Sequence, residues 1–368
     1  MAGAEVTEVA VVGGGPAGLS AALAARQAGA KVIVVDENAA PGGQLRKQIH
    51  KFFGSKEHHA GRRGFRIAEE LVAACREQGV ELWTDTLAYG IFDHTLGIVR
   101  GGTASTLAAR SIVLATGASE NALAFPGCTL PGVMGAGAAQ TFINLHRVLP
   151  GRRALIVGAG NVGLIITYQL LQAGAEVLGV VEAAPRIGGY AVHAAKIRRA
   201  GVPIYTRHTV LNAAGHGELE EVTIAALDEN GWPIAGSERT FAIDLLCLAV
   251  GLTPLTELAW QAGCLFEYCG PLGGHVPLHS EDMETTVPGL FVAGDMAGVE
   301  EASTALEEGR LAGLAAAVYA GYRSPHLEEE KAAARVRLQA LRSGPFGEER
   351  YLAYEEIVRR WLKWRDAR

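Results

Sequence analysis

The chain has no Cys-x-x-Cys pair. Its five cysteines, Cys75, Cys128, Cys247, Cys264 and Cys269, are scattered, so neither a redox-active dithiol nor a zinc or iron–sulfur ligand set is written in the sequence. Cys264 and Cys269 lie five apart and read as two separate thiols rather than a bridge. A strong charge of either sign is missing too. A net charge of −6 with 20% charged residues gives no basic footprint for nucleic acid, and Arg62-Arg63 and Arg198-Arg199 read as solvated faces. Uninterrupted apolar runs of membrane length are absent: 154–181 is broken by glycines, Asn161, Gln169, Gln172 and Glu176, and 311–322 is 12 residues, the length of a buried helix. No membrane span is expected. With no basic, long-apolar leader before the first strand at Val6, a cytoplasmic location is the expectation.

Glycine, in contrast, is abundant, with 47 in 368 residues. Its most informative use is in 11–37, VVGGGPAGLSAALAARQAGAKVIVVDE, where an apolar strand runs into Gly13-x-Gly15-x-x-Gly18 and a helix, and a second strand ends in Asp36 and Glu37. Gly13 permits the tight turn, Gly15 lets backbone approach a pyrophosphate, and Gly18 lets helix and strand pack closely, while the helix N-terminus offers free N–H groups to anionic oxygens. Pro16 suits the first helical turn, with Ala17 beside it. Spacing leaves Asp36 and Glu37 as rivals for a ribose hydroxyl.

The same stretch occurs twice. Residues 156–182 align with 11–37 without a gap, 156 − 11 and 182 − 37 both giving 145, and 12 of the 27 positions are identical. Gly158, Gly160 and Gly163 repeat the three glycines, Asn161 and Val162 stand where Pro16 and Ala17 stand, and Glu182 pairs with Glu37, leaving Asp36 opposite Val181. Two dinucleotide domains are implied. A carboxylate at Glu182 would accept a ribose 2′-OH and repel a 2′-phosphate, which favours NAD(H) over NADP(H), with Arg186 close enough to work against that preference.

Between and after the copies come Pro41-Gly42-Gly43-Gln44-Leu45, a long polar excursion over 46–66, and a buried strand closing in Ala115-Thr116-Gly117. In the excursion His58-His59 has no helical i, i+4 partner, so no metal site is expected. Residues 241–250 read as one apolar strand, and LFVAGD, 290–295, as another that ends in Asp295 before a helix from Ser303. His193 and Lys196 lie on an expected helix after Gly188-Gly189 as candidates for the cofactor crevice, with no partner identifiable for acid–base work. The expected architecture is α/β: two Rossmann-like three-layer nucleotide-binding domains, the second (127–251) inserted in the first (1–126 and 252–322), and a helical C-terminal appendage, 323–368. There Ile357, Trp361 and Trp364 share one helical face, to be covered by the parent domain or by a docking partner.

This set of motifs resembles the two-dinucleotide flavoproteins of the pyridine nucleotide–disulfide oxidoreductase family over 7–322. GLTPLTELAWQAGC, GGHVPLHSEDMETTVPGLFVAGDMAG and ALEEGRLAG are similar to the α or A subunits of sarcosine, opine and proline dehydrogenases and of a cyanide-forming glycine oxidase. The resemblance implies FAD held by Gly13, Gly15, Pro16, Ala17, Gly18, Asp36, Glu37, Gly42, Gly43, Gln44, Leu45, Thr116, Gly117, Gly294, Asp295 and Ser303, and NAD(H) held by Gly158, Gly160, Asn161, Val162, Gly163 and Glu182. The helix near Ser303 would point its positive end at the flavin. The family's redox cysteine pair is missing, which argues against disulfide reduction by this chain alone, and so is the iron–sulfur extension of several amine-dehydrogenase α subunits. Three functions fit. They are an FAD- and NAD(H)-linked subunit of an amino- or imino-acid dehydrogenase complex, a self-contained NADH-dependent reductase or oxidase of a small acceptor, and a flavin-binding scaffold without turnover. An oligomer is expected, with a small redox substrate or a partner dehydrogenase subunit.

Overall fold

The computed structural model of the chain describes residues 5–343 and 347–368. It divides into two compact units, Met1–Ser119 with Thr253–Arg368, and Glu120–Leu252. The first crossover comes before the proline punctuation of 126–132 that the sequence suggests. Asn121 N already donates to Gly251 O at 3.0 Å, Ala213 N donates to Pro126 O at 2.9 Å, and Phe125 lies in a core of the second unit.

In the first unit, strands Glu81–Trp83, Val32–Val35, Glu5–Val12 and Thr103–Leu114 lie side by side in that order, all parallel. The long strand Thr103–Leu114 then divides its pairing. Its C-terminal end takes Leu290–Val292 in parallel, and its N-terminal end takes Thr95–Arg100 antiparallel, followed by Thr86–Phe92. Val9–Val12, Val32–Val35 and Ile112–Leu114 are unbroken apolar runs because successive side chains, which point to opposite sheet faces, are all buried there. Helix Pro16–Gln27 is rich in alanine for a related reason. Helix Ala302–Tyr319 crosses it so closely that a Cβ at Gly309 or Gly313 would collide with the carbonyl oxygen of Ala17 or Ala21, and Ser20 Oγ donates to Leu306 O at 2.7 Å across the same contact.

The C-terminal segment belongs to this unit. Ser324 Oγ accepts from Leu327 N at the start of helix Pro325–Arg342, with Pro325 in the first helical position. Leu327, Ala334 and Leu338 are buried, and Lys331 meets Asp282 at 2.8 Å. On helix Glu348–Asp366, Ile357 and Trp361 pack with Leu272, Val276 and Leu278, Trp364 lies against the same cluster, and Trp361 Nε1 donates to Thr285 O at 3.0 Å. The face carrying Ile357, Trp361 and Trp364 is therefore covered by the parent unit.

In the second unit, strands Ile204–Thr206, Glu176–Glu182, Arg153–Val157, Leu245–Leu248 and Val133–Gly135 form one parallel sheet. A separate antiparallel sheet holds His208–Ala214, Glu221–Ala226 and Arg239–Ala242. The expected single strand over 241–250 is thus two strands in two sheets. Asp244 is the break, and its carboxylate accepts from the backbone N–H of Arg152 (2.8 and 3.0 Å) and of Arg153 (2.8 Å), which pins the switch point.

Candidate functional site

The first glycine turn is fixed by contacts that only hydrogen side chains permit. Gly13 has φ of 103° and its N–H donates to Val35 O at 2.8 Å; a Cβ there would strike Ala115 O, and a Cβ on Gly18 would strike Gly13 O. Gly15, in extended conformation, precedes Pro16 at the helix start, and the nearest atom to a Cβ at Gly15 would be Gly43 Cα at 4.0 Å. Backbone there is open to an anion at a helix N-terminus. Asp36, 6% exposed, closes the turn: Oδ2 accepts from Gly14 N at 2.6 Å, and Oδ1 from Asn38 N and Nδ2 at 2.8 and 2.9 Å. Glu37 is exposed.

Gly42 N donates to Gly14 O at 2.6 Å, and Gly43 lies against Gly15, so the Pro41-Gly42-Gly43 turn covers the glycine loop. Gln44 is exposed, and the Leu45 side chain is fully buried with Ile67 and Ala68. Thr116 Oγ1 donates to Leu255 O at 2.6 Å, and Gly117 has φ of 78°. Gly294, with φ of 71°, sits against the Ala17 methyl, where a Cβ would come within 2.8 Å. The fold therefore gathers 13–18, 42–45, 115–117 and 294–295 at one sheet edge. Helix Ala302–Tyr319 starts one residue before Ser303, which lies half-buried in its first turn. Burial pushes the Asp295 carboxyl up to about 6, the backbone N–H of Glu300 opposing and the Glu300 and Glu301 charges adding.

The second copy repeats this construction. Gly158 has φ of 102° and its N–H donates to Val181 O at 2.7 Å; a Cβ at Gly163 would strike Gly158 O, and Gly160 has nothing within 4 Å of a Cβ position. Glu182 Oε2 accepts from Ala159 N at 2.7 Å and Oε1 from Ala184 N at 2.9 Å. Those are the partners that Asp36 finds at Gly14 and Asn38. Glu182 is thus the counterpart of Asp36, and the gapless pairing with Glu37 is corrected. The cause is a register shift between Val177 and Gly179 against the neighbouring strand, an irregularity that the first copy lacks and that moves the acid along by one residue.

The extra residue also reveals a feature that the gapless alignment hides. Gly188-Gly189 follows Glu182 at the spacing at which Gly42-Gly43 follows Asp36. It covers its turn in the same way, for Gly189 N donates to Ala159 O at 2.9 Å, and a Cβ at Gly189 would come within 2.8 Å of Gly160 C. Asn161 Oδ1 accepts from Tyr190 N at 2.8 Å, and Val162 is 46% exposed. On helix Ala191–Arg199, His193 is buried beside the Tyr190 ring and burial lowers its pKa, while Lys196 Nζ stands over the Tyr168 ring at 5.7 Å. Arg186 is exposed.

Burial pushes the Cys75 thiol up to about 12 and raises those of Cys247, Cys264 and Cys269, which makes each a weak nucleophile at neutral pH. Among the described residues no group of three or more His, Cys, Asp or Glu could hold a metal. His58 instead bonds Ser55 Oγ at 2.9 Å and faces Glu307 at 3.3 Å. No helix among the described residues is long and apolar enough to cross a membrane.

Two glycine turns, each braced by a strand-end acid and covered by a Gly-Gly loop, define the class: a two-dinucleotide oxidoreductase fold. Residues 7–309 match the pyridine nucleotide-disulphide oxidoreductase family, and the chain belongs to it. It is 31% identical to the A subunit of opine oxidase from Agrobacterium tumefaciens strain Ach5, over 83% of this chain and 64% of that one. It is 29% identical to hydrogen cyanide synthase subunit HcnB of Pseudomonas aeruginosa, over 93% and 77%. This chain therefore spans under two thirds of the opine oxidase subunit's length. Among solved structures, L-proline dehydrogenase from P. horikoshii shares the fold with a TM-score of 0.72 at 24% identity, covering 92% of this chain and 60% of that one.

Proposed function

We propose that this oxidoreductase binds FAD in the first unit and NAD(H) in the second, transfers hydride between them, and works as a subunit of an amino- or imino-acid dehydrogenase complex. The observation that carries the reading is the doubled acid-braced turn, Asp36 on Gly14 and Glu182 on Ala159. Both turns leave open backbone at a helix N-terminus where a pyrophosphate would lie. Asp36, rather than Glu37, is the acid for the FAD ribose, because it occupies the place that Glu182 occupies in the second copy. Gly42 and Gly43, Thr116 and Gly117, and Gly294 and Asp295 line the middle of the cofactor, and the first turn of Ala302–Tyr319, with Ser303, directs its positive end to the flavin. When bound, the flavin supplies the two-electron chemistry, and the chain supplies placement and field. Glu182 selects NAD(H) over NADP(H), since a 2′-phosphate would meet its carboxylate. The chain's similarity to subunits of an opine oxidase and of a hydrogen cyanide synthase supports a role beside a substrate-oxidising partner.

Co-expression tests this. The chain purified with a candidate partner subunit should oxidise a secondary amino acid such as proline or sarcosine, and the chain alone should not. Steady turnover by the isolated chain with NADH and a small acceptor such as a quinone would replace the subunit reading with that of a self-contained reductase.

A further inference from the structure

Two deeply buried charges of the first unit, Glu308 and Arg342, lie behind the 294–295 turn, and Arg342 comes from the C-terminal segment. Arg342, the last residue of helix Pro325–Arg342, is 4% exposed. Its guanidinium donates to Glu300 through Nε at 2.9 Å and Nη2 at 2.6 Å, reaches Glu308 Oε1 through Nη2, and stacks at 3.8 Å on the Tyr354 ring of the following helix. The other oxygen of Glu308 accepts from Gly294 N at 2.8 Å, and the backbone N–H of Glu300 bonds the Asp295 carboxylate. One cation thus holds two carboxylate residues, and each of those residues touches one residue of the turn. Removing a buried charged partner leaves the remaining charge exposed to a low dielectric, so such links are rigid while intact and costly to break.

We infer that Arg342 is a positioning residue for the FAD midsection: through Glu308 and Glu300 it fixes the Gly294-Asp295 turn, and so makes the C-terminal helices part of the flavin site. This rests on the reading that Gly294 and Asp295 face FAD. Without the Arg342 link, Glu308 loses its orienting partner, the Gly294 N–H loses a fixed acceptor, and the turn that presents Asp295 is free to shift.

The test is the rate of FAD release from the reconstituted full chain, followed by flavin fluorescence after dilution. Arg342→Met should release FAD about tenfold faster, and Arg342→Lys, which keeps a cation beside Glu308, should recover most of the wild-type rate. Trp361→Phe loosens the last helix without touching Arg342; its 348–366 amides should exchange faster while its FAD release stays at the wild-type rate. Glu308→Ala removes the acceptor for Gly294 N–H while Glu300 still pairs with Arg342, and should also speed release if Arg342→Met does not fold. Wild-type release from a folded Arg342→Met or Glu308→Ala variant would overturn the inference. Equal acceleration by Trp361→Phe would overturn it too, by showing that any loosening of the tail suffices. A wild-type chain that takes up no FAD at all would instead refute the cofactor reading on which the inference rests.

Discussion

Replacing Asp36 and Glu37 separately asks which acid of the pair belongs to the nucleotide site. Asp36 is buried and accepts three N–H groups, whereas the adjacent Glu37 is exposed. Asp36→Ala leaves the Gly14 N–H without its acceptor inside the tightest part of the turn. That orphan costs the folded turn about 1–3 kcal/mol whether or not FAD is bound. The ribose hydrogen bond to the carboxylate is lost only from the complex; at about 1.5–3 kcal/mol for a charged acceptor and about 1.4 kcal/mol per decade, the middle of that range weakens FAD binding roughly fortyfold. Glu37→Ala changes a surface position and should stay within about 0.5 kcal/mol, a factor of two or so. The assay is quenching of FAD fluorescence on titration with apo-protein, with the melting temperature of each apo-variant as the control for general unfolding. If Glu37→Ala weakens FAD as much as Asp36→Ala does, the assignment from the strand register is wrong.

Three further outcomes follow from the same geometry. Glu182→Ala should weaken NADH without changing FAD affinity and narrow the preference over NADPH, both read by equilibrium titration; a loss of FAD instead would break the division of labour between the copies. Gly309→Ala drives a methyl into the Ala17 carbonyl and should cost about 1–3 kcal/mol of overpacking, seen as a lower melting temperature, whereas Gly270→Ala, with nothing within 4 Å, should melt like the wild type. His279 is fully buried and its pKa is lowered to about 4 by burial. It stays neutral in the fold while an unfolded histidine protonates below about 6.5, so the stability it contributes is complete above that pH and is lost as pH falls towards 4, up to about 3 kcal/mol. Asp295, with its raised pKa, slopes the other way, its contribution being lost as pH rises through about 6. The difference between His279→Gln and wild-type melting curves across this window isolates the histidine; parallel curves would refute its neutral state.

Much of the fold was legible because its steric demands fall on single letters. Gly13, Gly18, Gly158 and Gly163 are dictated by backbone collisions, so the two turns show in the sequence as spacing, and Pro16 and Pro325 mark helix starts for equally local reasons. The register shift near Leu178 was not legible. An extra residue in a strand carries no signature when the letters around it continue to match, and here the identity of Glu37 with Glu182 pointed to the wrong partner. Gly188-Gly189 could have corrected it, since the pair falls into place only when the extra residue is allowed. The break at Asp244 had one signal that reading 241–250 as a single strand passes over, a lone charge in an apolar run. The C-terminal helices show the limit more clearly. The spacing of Ile357, Trp361 and Trp364 announces a face to be buried but not what buries it, and nothing local to Arg342 indicates that its guanidinium lies between Glu300 and Glu308.

The central claim, hydride transfer between NAD(H) and a flavin held by this chain, is tested most directly by mixing the FAD-reconstituted protein with NADH under anaerobic conditions and recording the visible flavin spectrum. The oxidised flavin band should bleach, with about one NADH consumed per flavin as expected for a two-electron transfer, and NADPH should bleach it much more slowly. A flavin band that stays unchanged with excess NADH would contradict it.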